Sequence, residues 1–156
     1  MENLSAMITE WNSRICISDL SRKWKKERPL RNNNKSNLLL LLYNVECLNT
    51  HTADVDILLT TYKPHICILT GVGTAVKNLP TFPGYTAIGQ TGTNSFGGVA
   101  ILYQNYLKCK VIDKDLNFLL MEVETSNESV LIGAVYVPPG SLPPFQLFNK
   151  CRNKPF

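Results

Sequence analysis

Gly71-Val72-Gly73 follows the apolar stretch HICIL (65–69), and small residues in such a turn let backbone N–H groups approach an anion closely enough to cradle phosphate. A dinucleotide fingerprint asks for more: a third glycine opening a helix, and an acidic residue about 20 positions further on. Here the third position is Val76 and KNLPTFPGY follows, with two prolines and a glycine that argue against a helix. The phosphate-loop reading fails in its context. A second group of chemistry-bearing residues is basic. Arg22, Lys23, Trp24, Lys25, Lys26, Arg28 and Arg31 crowd into RKWKKERPLRNNNK (22–35). Lys and Arg neutralise phosphates and an indole stacks on bases, so nucleic acid is the matching partner, while a solvated helix end and linker is the plainer reading of the same run.

Other reactive side chains are few. The two histidines, His51 and His65, fall at a helix start and on a strand, where a surface or hydrogen-bonded core histidine is the ordinary occupant. The five cysteines are odd in number and show no C-x-x-C spacing, which speaks against a disulfide framework or a zinc site and for a reducing compartment.

The elements that must position these residues begin at Leu38. LLLLLYNV (38–45) is a continuous apolar run, as expected of a strand buried on both faces. In TADVDILLTTY (52–62), Val55, Leu58, Leu59 and Tyr62 form one apolar helical stripe. Thr52 is placed to cap that helix, Asp54 and Asp56 to meet its positive end, and Pro64 to stop it. HICIL is a second buried strand, so 38–69 reads as a β-α-β unit with parallel strands and a right-handed crossover. Such units hold ligands at the carboxyl ends of their strands, where Asn44, Glu46, Thr70 and Gly71 fall. Beyond residue 80 the pattern is strand and turn: 84–90, 97–103, 107–113, 116–124 and 129–137, separated by TGTNS, Lys114-Asp115 and TSNE. The last strand alternates, with Val130, Ile132, Ala134 and Tyr136 on one face, and Pro138-Pro139 ends it.

Composition sets the frame: 156 residues, 44% hydrophobic and 18% charged, suit one soluble globular domain. The net charge of +4 comes from the first quarter, since residues 1–37 hold eight Lys/Arg against four Asp/Glu and residues 38–156 hold eight of each. That asymmetry marks 1–37 as a basic N-terminal extension or linker. No run approaches the ~20 apolar residues of a membrane span, and no charged-then-apolar leader opens the chain. An intracellular setting, nucleus or cytoplasm, is expected, with no membrane partner and no small-molecule cofactor.

Four blocks carry a family resemblance. LLLYNVECLN is similar to a first strand ending W/L-N-v-x-G-L, YKPHICILTGV to p-D-i-i-x-L-Q-E-t, FPGY with GGVAILY to P-G-Y…G-G-v-a-i-l, and IGAVYVPP to a strand ending Y-x-P-P. In this order they resemble the endonuclease/exonuclease/phosphatase superfamily over about residues 38–148, and the spacing with YVPPG is most like LINE-type retrotransposon endonucleases. The resemblance implies an α+β fold, the first half of a four-layer α/β/β/α sandwich with mostly antiparallel sheet. It implies metal-dependent phosphodiester hydrolysis of DNA, usually with Mg2+ activating the phosphate and a His-Asp pair handling the water. Asn44 corresponds to the asparagine that orients the site, Glu46 to a metal-binding carboxylate of some relatives, and Tyr136 to a tyrosine touching the phosphate. Taken alone, Asn44 reads as a turn residue, Glu46 as solvated and Tyr136 as a half-buried aromatic.

The principal metal-binding glutamate of the resemblance aligns with Gly71, which has no ligand to offer. The later motifs, G-D-F-N, the aspartate of the His-Asp pair and S-D-H, would lie beyond Phe156, and residues 149–156 then form a truncated end. The expectation is a truncated, inactive member of a retrotransposon-derived endonuclease family in which magnesium binding is doubtful. A non-catalytic nucleic-acid-binding or interaction module and a phosphatase-like relative acting on small or lipid phosphates are the alternatives. A half-fold carries a structural expectation too. The strands from 38 to 137 form one sheet, and Val99, Ile101, Leu119, Met121, Ile132 and Ala134 leave a core face uncovered that favours self-association.

Overall fold

The computed structural model describes residues 38–126, 128–143 and 146. The basic residues Arg22 to Arg31, the 1–37 extension and the 149–156 end lie outside the described residues. The chain runs β1 (Leu40–Asn44), α1 (Leu48–Tyr62), β2 (Ile66–Thr70), a 3-10 turn (Gly73–Lys77), β3 (Tyr85–Gln90), β4 (Val99–Gln104), β5 (Lys108–Asp115), β6 (Phe118–Glu124) and β7 (Ser129–Val135). The α+β class of the sequence reading holds, and its strands return within a few residues of their expected bounds.

β1 and β2 are parallel, with Leu40 opposite Ile66 and Asn44 opposite Thr70, as a β-α-β unit requires. β4 then pairs antiparallel with both β2 and β3, giving a four-stranded sheet in the order β1-β2-β4-β3. β5, β6 and β7 form a separate antiparallel sheet of three strands, with an irregularity between Val111 and Asp113.

This second sheet overturns the expectation of one sheet with a bare face. On β2 and β4, Ile66, Ile68, Val99 and Ile101 point one way and meet Leu119, Met121, Val123, Ile132 and Ala134 from β6 and β7. Each of the six residues expected to lie uncovered is in this core. Hairpin connections of a few residues fold 108–135 back over the first sheet, so the chain supplies the covering layer itself. On the other face, Cys67, Leu69, Ala100 and Leu102 pack beneath Leu48, Val55 and Leu59 of α1, with Ala75 and Phe82. Helix, sheet and sheet make three layers, and β2 and β4 are buried on both faces.

β1 corrects another expectation. It is an edge strand, not a strand buried on both faces: Leu41 and Tyr43 pack toward the helix, while Leu40 is 46% and Leu42 70% exposed. Its apolar run resembles that of β2, but β7 packs over β2 and β4, and among the described residues no element packs over the outer face of β1. α1 also begins earlier than read. It starts at Leu48, has no side-chain cap at Cys47, and is interrupted at His51 (φ −115°, ψ 20°) before resuming at the expected Thr52. Thr52 does not cap; its hydroxyl donates to the Leu48 carbonyl at 2.7 Å. Of the apolar stripe, Val55 and Leu59 are buried, Leu58 is half-buried and Tyr62 is exposed. The helix ends as read, with Lys63 left-handed (φ 45°) ahead of Pro64. Among the described residues no helix is long and apolar enough to cross a membrane.

Candidate functional site

The topology gathers several connections at one end of the molecule. β1 and β2 finish there, at Asn44 and Thr70; β3 leaves and β4 enters there, since Gln90 pairs with Val99 and Val99 with Thr70. The β5–β6 turn and the carboxyl end of β7 face the same region, because Asn117 N–H donates to the Thr91 carbonyl (2.9 Å) and the Asn117 carbonyl accepts from Tyr136 N–H (3.0 Å). Asn44 and Glu46, Gly71 and Tyr136, chosen from separate blocks of sequence, thus sit on connections at a common end.

The backbone joins them continuously. Val45 N–H donates to Thr70 O (2.9 Å) and Leu48 N–H to Val72 O (3.1 Å). Val72 and Gly73 N–H donate in turn to Gly98 O (3.3 Å) and Gly97 O (2.8 Å). These bonds pin the Gly71–Gly73 turn on both sides, and a 3-10 turn follows it where the prolines argued against a helix. A single turn of that kind is short enough to end before Pro80.

Gly71 has φ +66°, and a β-carbon on it would lie 2.6 Å from Asn44 Oδ1 and 3.4 Å from the Glu46 amide nitrogen. An L side chain is disfavoured by both the dihedral and the space. The connection from β1 to α1 is strained: Glu46 has φ 54° and Cys47 φ 150°, neither being glycine. The half-buried Cys47 thiol is held below its ordinary pKa by the Thr50 backbone N–H, then by the Thr50 hydroxyl, with burial opposing and the Asn49 N–H adding to the effect.

Asn44 and Glu46 are exposed, and Tyr136 is half-buried against the core between the sheets. Of the positions that the resemblance implies, Glu46 offers one carboxylate and Asn44 one amide, and Gly71 offers no ligand. No three His, Cys, Asp or Glu side chains among the described residues come together in a group that could hold a metal ion. Magnesium wants near-octahedral oxygen coordination anchored by carboxylates. The described residues do not by themselves fit such a site. His65 is structural, its Nδ1 accepting from Leu39 N–H at 2.9 Å. His51 Nδ1 lies 2.7 Å from Asp54 Oδ2, an exposed pair one helical turn apart, of the kind that contributes little.

Asn117 is not among the residues that the sequence pattern singles out. The pattern places a strand over 116–124 and a turn at Lys114-Asp115, whereas the turn lies at Leu116-Asn117, with Asn117 left-handed (φ 59°) and only 5% exposed. The signal was present: a lone asparagine amid apolar residues is a residue that tolerates this conformation. The loop it meets, 91–98, carries Phe96, 71% exposed, on a turn where Asn94 Oδ1 accepts from Phe96 N–H (3.0 Å).

No family model and no curated protein matches this chain. Solved structures do. The chain is similar to the endonuclease domain of TRAS1, a telomere-specific non-LTR retrotransposon, at TM-score 0.58 and 18% identity over 74% of this chain and 52% of that one. It is similar also to AP endonuclease LMAP from Leishmania major, at TM-score 0.56 and 12% identity over 83% of this chain and 51% of that one. The fold is thus of the endonuclease/exonuclease/phosphatase type. The chain spans about half the length of these two structures.

Proposed function

We propose that this chain is a non-cleaving nucleic-acid-binding domain on an endonuclease/exonuclease/phosphatase fold, derived from a retrotransposon-type endonuclease. The observation that carries it is Gly71: the position aligned with the principal metal ligand holds a glycine whose β-carbon position is taken by Asn44 Oδ1. Transition-state charge on a phosphodiester would there be met by one carboxylate and no second anchor for a metal, which removes the main source of charge stabilisation in such catalysis. The capacity to contact nucleic acid is retained. The basic run Arg22 to Arg31 with Trp24 supplies cations and a stacking ring, and Phe96, Asn44 and Tyr136 sit at one end of the sandwich as further contacts. Likeness in fold to a retrotransposon endonuclease domain and the YVPPG ending support the origin. Binding by these means is independent of sequence, and DNA inside the cell is the partner.

The test has two arms on the full chain. Supercoiled and abasic-site DNA with magnesium or manganese should remain uncut; chelator-sensitive nicking that disappears in Asn44→Ala would overturn the proposal. A labelled oligonucleotide should bind, with log K falling by roughly 0.9 per phosphate neutralised against log salt on duplex DNA. Exchanging Arg22, Lys23, Lys25 and Lys26 for Gln should weaken binding and flatten that slope. An unchanged slope would show the basic run to be a solvated face.

A further inference from the structure

Asn117 joins the two parts of the candidate interface. Its Oδ1 accepts from Gly98 N–H at 2.7 Å and its Nδ2 donates to Thr93 Oγ1 at 3.1 Å. Its own N–H reaches the Thr91 carbonyl at 2.9 Å. Those three bonds all fall on loop 91–98, the loop that presents Phe96. The fourth runs the other way, from Tyr136 N–H to the Asn117 carbonyl at 3.0 Å. The loop is shaped around the amide: β-carbons on Gly92 and Gly97 would lie 2.5 and 2.6 Å from Asn117 Oδ1. A buried amide whose groups are all satisfied holds its neighbours in one arrangement, because any other arrangement leaves a polar atom buried without a partner.

We infer that Asn117 is a positioning residue, clamping the Phe96 loop to Tyr136 so that both meet a nucleic-acid strand as one rigid unit. The inference rests on the nucleic-acid reading above, and the clamp has a readout independent of it. The loop also anchors the Gly71–Gly73 turn through Gly97 O and Gly98 O. The order imposed by Asn117 therefore extends to the connection that carries Asn44 and Glu46. An ordered contact surface gives up less freedom on binding than a loose one, so losing the clamp weakens binding without removing a contact to the ligand.

Asn117→Gly is the direct test, since glycine keeps the left-handed backbone and deletes only the amide. Amide hydrogen exchange at Gly98 and Tyr136 should quicken by about tenfold or more, while Cys67 and Leu69 in β2 keep their protection. Affinity for a fluorescein-labelled single-stranded oligonucleotide should fall by about three- to tenfold. The loss should be smaller when Phe96→Ala is already present, because the two residues then act through one contact. Thr93→Val, at an exposed residue that leaves the core intact, should give the same pattern at lower amplitude and decides the matter if Asn117→Gly does not fold. Unchanged exchange at Gly98 and Tyr136 would overturn the clamp whatever the chain binds. Faster exchange with unchanged affinity, or strict additivity with Phe96→Ala, would overturn the positioning role. A native chain that binds no oligonucleotide would overturn the nucleic-acid reading, and the positioning role with it.

Discussion

Gly71 and Asn44 exclude one another's larger alternatives: a β-carbon on Gly71 would stand 2.6 Å from Asn44 Oδ1, across the paired ends of β2 and β1. With φ +66° at Gly71 as well, Gly71→Ala should destabilise the chain by more than about 1 kcal/mol. Part of that loss should return in Asn44→Ala/Gly71→Ala, because the contact is gone and only the dihedral remains. Urea unfolding of the two single variants and the double variant gives the coupling directly. Strict additivity would mean that the two side-chain positions do not meet. By the same geometry, Gly71→Glu should not confer magnesium-dependent cleavage, since its carboxylate would have to grow from a backbone unsuited to it.

Cys47 should be improvable. It holds φ 150° at the helix start, a region that costs a non-glycine residue about 1–3 kcal/mol. Glycine in its place gives back roughly 0.5–1 kcal/mol through the freedom of the unfolded chain. Cys47→Gly should therefore raise the melting temperature, by an amount equivalent to about 1 kcal/mol. A lower melting temperature would show that the thiol's hydrogen bonds outweigh the strain.

The core between the sheets and the open edge should respond differently. Met121 is fully buried among Ile101, Ile132 and their neighbours, so Met121→Ala should cost about 2–5 kcal/mol and unfolding should be cooperative. Leu42, 70% exposed on the edge strand β1, should tolerate Lys within about 0.5 kcal/mol. We propose that any self-association runs through this edge, since among the described residues no strand pairs with its outer side, and an edge strand bearing exposed leucines is a template for pairing. Sedimentation of Leu42→Lys against the native chain tests it, and equal association in both would assign the contact elsewhere.

Cys67 predicts an alkaline limb. Burial pushes its thiol up to about 12, whereas in the unfolded chain it ionises at about 8.5. The folded pKa is raised, so the contribution to stability is complete below the unfolded value and is lost as pH rises toward 12. Its share of the slope is at most about 1.4 kcal/mol per pH unit. Stability of Cys67→Ala between about pH 8 and pH 10.5 should fall less steeply than that of the native chain. Parallel curves would place the cause in other groups.

The parallel β1–β2 pair, the crossover helix and the five later strands were legible in the sequence, because hydrophobic period and turn chemistry are local properties; the endonuclease/exonuclease/phosphatase resemblance rested instead on four motif blocks in order. So was the glycine at position 71. What tertiary structure decided is how those strands are shared out. Leu40 and Leu42 read much like Ile66 and Ile68, yet one pair is exposed and the other buried, because burial depends on whether a second layer reaches that strand. Val99 and Met121 read as parts of one sheet and lie in two, because pairing partners are chosen by packing over long separations and not by the strands' own composition. Asn117 is the clearest case. Its residue type permits a left-handed turn, but only the fold brings Gly92, Gly97, Gly98 and Tyr136 to it, and so makes a turn residue the meeting point of loop 91–98 and the end of β7.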